Sequence, residues 1–517
     1  MNFGNILSNY LPYKSILSKP ITTPVSVSGI SDTAQPHLIS SLAGDCGGSA
    51  LVITYTDMEA RELYNDLKLY CDNAALFPSK DYIYYNIETA GHQNENSRLE
   101  AISKLINGKA IIVASLDAVM CYTLPKVLFE KYRINFELGD EFDLDELAQQ
   151  LIDMGYTRED MIEGEGQFAI RGGILDIFSP NYSNPLRIEF FDNETDSIRE
   201  FDVYTQRSLD KIDSAQIVPV SEMLCTNERR ESIIRELKSR LKAEKEKAAP
   251  NEAYIETLSA DIESFEEGRR FPSMDKYVSL VYGDVPSILD YFTKNDIVVV
   301  SDPKRICERG QNFEWEKGNI ISELKQKGVI SPHERRFYYG YNEMLAELEN
   351  RANKTTILIE PLGHTNNDFS PNKRVTLKTK TTISFHGKME YLYDSVKTWK
   401  KNKYTVVIFV SARSRAENIA GVLNERGISA RLMYDGGEFE SGETVIIKGN
   451  ISKGFEYPEL HFAAISDREI FEAKKNKNRR DRENANRIKS YNDINPGDYV
   501  IHASHGVGQY VGTEKIV

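Results

Sequence analysis

Five cysteines stand in the 517 residues (Cys46, Cys71, Cys121, Cys225 and Cys307), and no two of them form a CxxC pair. Their scatter argues against a disulfide framework and against a cysteine zinc site, and it suits a reducing, cytoplasmic setting. The eight histidines carry no metal-ligand spacing either. No apolar run approaches the ~20 residues that a membrane span needs, so no membrane partner is expected. The opening MNFGNILSNYLPYKSILSKP lacks a long apolar core followed by a small-residue cleavage site, which argues against secretion. Positive charge is scarce as well. Lys and Arg total 64 against 78 Asp and Glu, a formal charge of −14. A chain that grips DNA through its own surface generally has the opposite balance, so a protein partner is favoured.

What is present reads as several α/β units. The length predicts three or four domains. Over the first ~125 residues strands and helices alternate. The runs at 50–55 (ALVITY) and 110–115 (AIIVAS) are continuously apolar, as buried parallel strands are. Thr226 opens a charged helix with Ile233, Leu237 and Leu241 on one stripe, which ends before Pro250. The stretch 285–303 (VPSILDYFTKNDIVVVSDP) returns to α/β character, so the segment between is expected to be an insertion. A further α/β unit spans 355–470, with strands at 405–410 and 444–447. Residues 474–489 (KKNKNRRDRENANRIK) are charged and poor in apolar side chains, the composition of a linker. After it, alternation through Tyr499, Ile501 and Ala503 predicts a strand, with HGVG as a tight turn. Gly506-Val507-Gly508 is not followed by a helix pattern, so a dinucleotide loop is rejected.

The most informative stretch is 164–202, GEGQFAIRGGILDIFSPNYSNPLRIEFFDNETDSIREFD. Leu186, Ile188 and Phe190 alternate with Arg187, Glu189 and Phe191, which predicts a strand with one core face. A polar turn at 192–196 leads to a second strand, with Phe201 and Val203 expected inward. Phe168 and Ile170 alternate with Ala169 and Arg171. Arg171, Arg187 and Phe191 therefore share an outward face, where folding does not require an aromatic. Arg and aromatic side chains on a rigid sheet have the composition of an interface hot spot. Truncating Arg187 or Phe191 is expected to leave the fold intact.

The runs FAIRGGILDIF and PLRIEFFDNETDSIREFD resemble the domain shared by UvrB and the transcription-repair coupling factors, and the ending DVYTQRS at 202–208 is closer to the coupling factors. The resemblance implies that this domain docks UvrA, the damage-recognition ATPase of nucleotide excision repair, through Arg171, Arg187 and Phe191. INPGDYVIHASHGVGQYVGTEKIV, at 494–517, resembles the start of the CarD-like barrel with which coupling factors bind the RNA polymerase β subunit. The chain ends before such a barrel could close, so a fragment of a longer protein is expected, with its last residues mobile.

UvrB and its relatives hold ATP with a glycine-rich loop and a paired-carboxylate strand. The loop needs a Lys for the phosphates and a Ser or Thr for magnesium. The matching stretch here is SGISDTAQP at 28–36. Gln35 stands where the Lys belongs and Pro36 where the hydroxyl belongs, and Asp32 adds negative charge. The second half, IVVVSDP, ends in Ser301-Asp302 where the family has Asp-Glu. UvrB also clamps DNA with a long aromatic hairpin. Tyr82, Tyr84 and Tyr85 pass into a helix within about ten residues, too soon for such a hairpin, and are expected to pack.

The resulting expectation is an α/β multidomain chain. A degenerate RecA-like domain (1–130) receives an inserted α+β hairpin domain that binds UvrA (131–218). The remainder of the UvrB-homology module (219–350), an additional α/β domain (355–470), a charged linker (471–492) and the start of a CarD-like barrel (493–517) follow. The chain is expected to be non-catalytic, with no metal and no cofactor of its own. ATP, magnesium and DNA belong to the C-terminal translocase that the resemblance implies for the full-length protein. A UvrB-like DNA-dependent ATPase is the alternative, and it would need the intact loop.

Overall fold

The computed structural model of the chain describes residues 3–471 apart from 19–23, 83, 85–92, 269, 294, 333, 335, 351–354, 362–368, 386 and 434–438, and also the strands at 499–502 and 506–509. The linker at 474–489 and Tyr85 lie outside these.

The first layer is a seven-stranded sheet in the order Lys373–Thr376, Val25–Ser28, Thr355–Glu360, Ile297–Ser301, Ala50–Thr54, Ile111–Ser115, Ala74–Phe77. Every pairing in it is parallel. The strands Ala50–Thr54 and Ile111–Ser115 are buried along their whole length, as their continuous apolar runs require when helices cover both faces. Ile297–Ser301 pairs with Ala50–Thr54, so the chain leaves this layer after the N-terminal strands and returns to complete it. The intervening hairpin domain is an insertion, as expected. One boundary is corrected. Thr355–Glu360 does not open the additional unit. All six of its residues are buried and it pairs between Val25–Ser28 and Ile297–Ser301, near the middle of the first sheet.

The additional unit is a second six-stranded sheet starting at Lys380–Thr381 and including Thr405–Val410, Thr444–Lys448 and Phe462–Ser466 in parallel. It packs on the first layer. His37 is buried among the rings of Tyr70, Phe455, Tyr457 and Phe462, with its Nδ1 3.0 Å from the Tyr457 hydroxyl.

The inserted domain holds a six-stranded sheet whose central strands Gln167–Arg171, Ile174–Ile177, Leu186–Phe191 and Glu194–Phe201 pair antiparallel with one another in that order, while Thr157–Arg158 joins Gln167–Arg171 in parallel. Phe168, Leu175, Ile177, Leu186, Ile188, Phe190 and Ile198 fill one face, against the helix Leu144–Asp153 that buries Leu147, Ala148 and Leu151. The domain is fastened to the first layer through buried charge. Arg98, wholly buried on the helix Gln93–Asn107, donates from Nε to both carboxylate oxygens of Glu222 (2.8 and 2.9 Å) and from Nη2 to the Tyr122 carbonyl (2.7 Å). Lys80 reaches Glu222 at 3.6 Å and Asp275 at 3.8 Å. Thr226 caps the helix Asn227–Lys245, which buries Ile233 and Leu237 as its stripe predicts.

Near the C-terminal end, Tyr499–His502 pairs antiparallel with Gly506–Gln509. The glycines at 506 and 508 thus lie in a strand and not in a turn.

Candidate functional site: the outward sheet face

The three residues singled out from the sequence lie on one side of the inserted sheet, and a fourth binds two of them together. In the ladder Asp176 stands opposite both Ala169 and Arg187, so its carboxylate comes up between Arg171 and Arg187. Asp176 is buried. It accepts from Arg171 Nη2 at 2.5 Å, from Arg187 Nε at 2.6 Å and from Arg187 Nη2 at 2.8 Å. The hydrogen bond from Arg187 to this carboxylate raises the guanidinium's pKa above its ordinary value. Arg171 keeps half of its side chain exposed, Arg187 less than a fifth.

The expectation for Arg187 is therefore corrected. It lies on the outward face, as the alternation requires, but it is not a free surface cation. Its guanidinium also lies over the Phe201 ring, 4.6 Å from the centroid. Phe201 is the second correction. The pairing of Glu194–Phe201 shifts between Thr195 and Ser197 against Leu186–Phe191 and between Arg199 and Phe201 against Ser208–Lys211, and a spacing of three from the core-facing Ile198 puts Phe201 on the opposite side. Phe201 consequently faces away from the main core and forms a small cluster with Ile162 and Ala169. Val203 lies beyond the strand end, half-buried.

Phe191 stands four residues along the same strand from Arg187, about 13 Å at the usual rise. It is 79 % exposed. The strand ends there, and Asp192 turns the chain with φ 59°. The facing hairpin uses Gly172 at φ 61° and Gly173, where a Cβ would come 2.7 Å from the Phe190 carbonyl oxygen. Only glycine lets that turn lie against the end of the Phe191 strand. Beside Arg171 a surface hollow of about 530 Å3 is lined by Arg158, Glu159, Asp160 and Ile170. Farther across the face, Arg199 pairs with Glu189. The arrangement offers guanidinium groups, a hollow and an exposed ring on a rigid frame. It holds no nucleophile with a base, and among the described residues no group of three or more His, Cys, Asp or Glu could hold a metal ion.

The second place singled out from the sequence is also assembled by the fold. Gln35 and Ser301, 266 residues apart, meet: the Ser301 hydroxyl donates to Gln35 Oε1 and Gln35 Nε2 donates to Asp32, each at 3.1 Å. Pro36 occupies the first turn of the helix Gln35–Cys46, where a missing N–H is tolerated. Asp302, at φ 53°, caps the helix Pro303–Gln326 and pairs with Arg305. Burial pushes the nearby Glu59 carboxyl above its ordinary pKa, and the charges of Asp32 and Asp302 add to that shift. Triphosphate and magnesium do not fit this donor set. Gln35, at the position that sequence matches to a lysine, is an amide already bonded to Asp32 and Ser301, and the carboxylates of Asp32 and Asp302 both act on Glu59.

Two family models match the chain. The UvrB interaction domain covers residues 134–223, and the CarD-like/TRCF RID domain covers 494–517. The transcription-repair-coupling factor of Bacillus subtilis (strain 168) is 30% identical over 502 residues, which is 95% of this chain and 42% of that protein. By sequence, the chain is similar to the transcription-repair-coupling factors. Those of Staphylococcus aureus strains Mu50 and MSSA476 align over the same span at 30% and 29% identity. The chain spans less than half the length of these coupling factors. The face carrying Arg171, Arg187 and Phe191 falls inside the UvrB interaction match. No helix among the described residues is long and apolar enough to cross a membrane.

Proposed function

We propose that this chain is the recruiting part of a transcription-coupled excision repair factor, and that it docks UvrA through Arg171, Arg187 and Phe191. One observation carries the reading. A domain that matches the UvrB interaction family presents a 79 % exposed phenylalanine on the same sheet face as two arginines fixed by one buried carboxylate. Exposed aromatics gain nothing from folding, whereas interface centres are built from aromatic and Arg side chains. Guanidinium groups suit a partner surface carrying carboxylates, which Arg pairs with bidentately and Lys does not.

The nucleotide-like place at Gln35 and Ser301 serves architecture in this reading. The chain neither binds nor hydrolyses ATP, and the first layer is a RecA-like domain kept as a scaffold. The 494–517 segment belongs to a contact with the RNA polymerase β subunit. In the complete cytoplasmic protein, ATP, magnesium and DNA are handled by a translocase outside this chain, which releases polymerase stalled at lesions. Pull-down of the chain against purified UvrA and against the polymerase β subunit tests the assignment. Capture of UvrA that is lost on Phe191→Ala supports it, and equal capture by both forms refutes it.

A further inference from the structure

We propose that Tyr204 is a second aromatic anchor of the docking surface, held at the tip of a turn braced by the same sheet face. The inference rests on the reading of that face as a UvrA-docking surface and extends it to a residue outside the Arg171, Arg187 and Phe191 set. Tyr204 is 92 % exposed, more than Phe191.

The turn that carries it is closed by Asp202. The Asp202 carboxylate accepts from the backbone N–H of Tyr204 at 3.1 Å and of Thr205 at 2.7 Å. Its carbonyl accepts from the Gln206 N–H at 2.8 Å, and its own N–H donates to the Arg207 carbonyl at 2.9 Å. Gln206 takes φ 58°, a left-handed conformation that a side chain adopts only where its surroundings hold it. Here Gln206 Nε2 donates to the Val203 carbonyl at 2.8 Å, and Oε1 lies 3.5 Å from Arg187 Nη2. That last contact places the turn against the side of the sheet where Asp176 holds Arg187 and Arg171. The tyrosine backbone is thus fixed before any partner arrives, which lowers the ordering cost of using its ring in an interface.

The occupant is the same UvrA surface, by continuity with the face and by charge complementarity. It would set carboxylates against the arginines and lay an apolar ledge with a hydrogen-bond acceptor under the phenol. Titration calorimetry of the full chain with UvrA, comparing the unchanged chain with Tyr204→Ala, Tyr204→Phe and Phe191→Ala, tests this. Tyr204→Ala is expected to weaken binding roughly 10- to 30-fold with an unchanged melting temperature, and Tyr204→Phe to stay within about threefold. Full affinity in Tyr204→Ala while Phe191→Ala loses binding overturns the inference and leaves the reading of the face standing. Full affinity in both variants, or no binding by the unchanged chain, overturns that reading and the inference with it. A lowered melting temperature in Tyr204→Ala also overturns it, because the ring would then be part of the fold.

Discussion

Arg187 combines two roles that the alternation of its strand keeps apart. Its parity puts it on the outward face, yet its guanidinium satisfies the buried Asp176 and lies over Phe201. Arg187→Ala is therefore expected to weaken UvrA binding and also to destabilise the domain by about 1–3 kcal/mol, since it removes the hydrogen bonds of a buried carboxylate. Arg171→Ala removes one bond from a half-exposed side chain, and its melting temperature is expected to stay near that of the parent. Thermal melts of the two variants, side by side, check the asymmetry. Asp202 gives a pH prediction. The Thr205 N–H holds its carboxyl below the ordinary value of 3.8. A depressed acid stabilises the folded form above its unfolded pKa and loses that contribution as pH falls through the folded value. The turn at 202–206 is thus expected to loosen only in acid, read as faster amide exchange at Thr205 after normalising for intrinsic rates.

Among the elements, the strand Leu186–Phe191 was legible from its residues alone, because strict alternation admits one buried face. Ile188 sits in that face opposite Ile198. Ile188→Ala is expected to cost ~2–5 kcal/mol through the cavity it leaves, read by denaturant unfolding. Asp176 was not legible. A carboxylate between Leu175 and Ile177 reads as solvated, and only the pairing that brings two arginines to it explains its burial. Phe201 was misassigned because Ile198, three residues earlier, takes the core face, and alternation from it sends Phe201 to the other side, where it meets Ile162 and Ala169. The helix Gln93–Asn107 depends on Arg98 in a similar way. Arg98→Ala leaves Glu222 buried with less compensation, and a loss of ~3–5 kcal/mol is expected in the same unfolding experiment.

Across the whole molecule, the insertion was legible because α/β character resumes near residue 285. The position of Thr355–Glu360 was not, since an apolar run predicts a buried strand without saying which sheet receives it. The two halves of the nucleotide-like place come from segments 266 residues apart, and Gln35 and Ser301 meet through a hydrogen bond in the fold. Gln35→Lys alone is expected to give no ATP binding in equilibrium dialysis with magnesium, because Ser301 supplies no carboxylate and Pro36 no hydroxyl. Tight, magnesium-dependent binding by the unchanged chain would remove the scaffold reading. The central claim is that recruitment depends on the outward sheet face. Calorimetric titration of UvrA into the Phe191→Ala chain tests it most directly, since Phe191 is 79 % exposed and contributes little to folding. The account predicts a loss of roughly 30-fold or more in affinity with an unchanged melting temperature, and undiminished binding would contradict it.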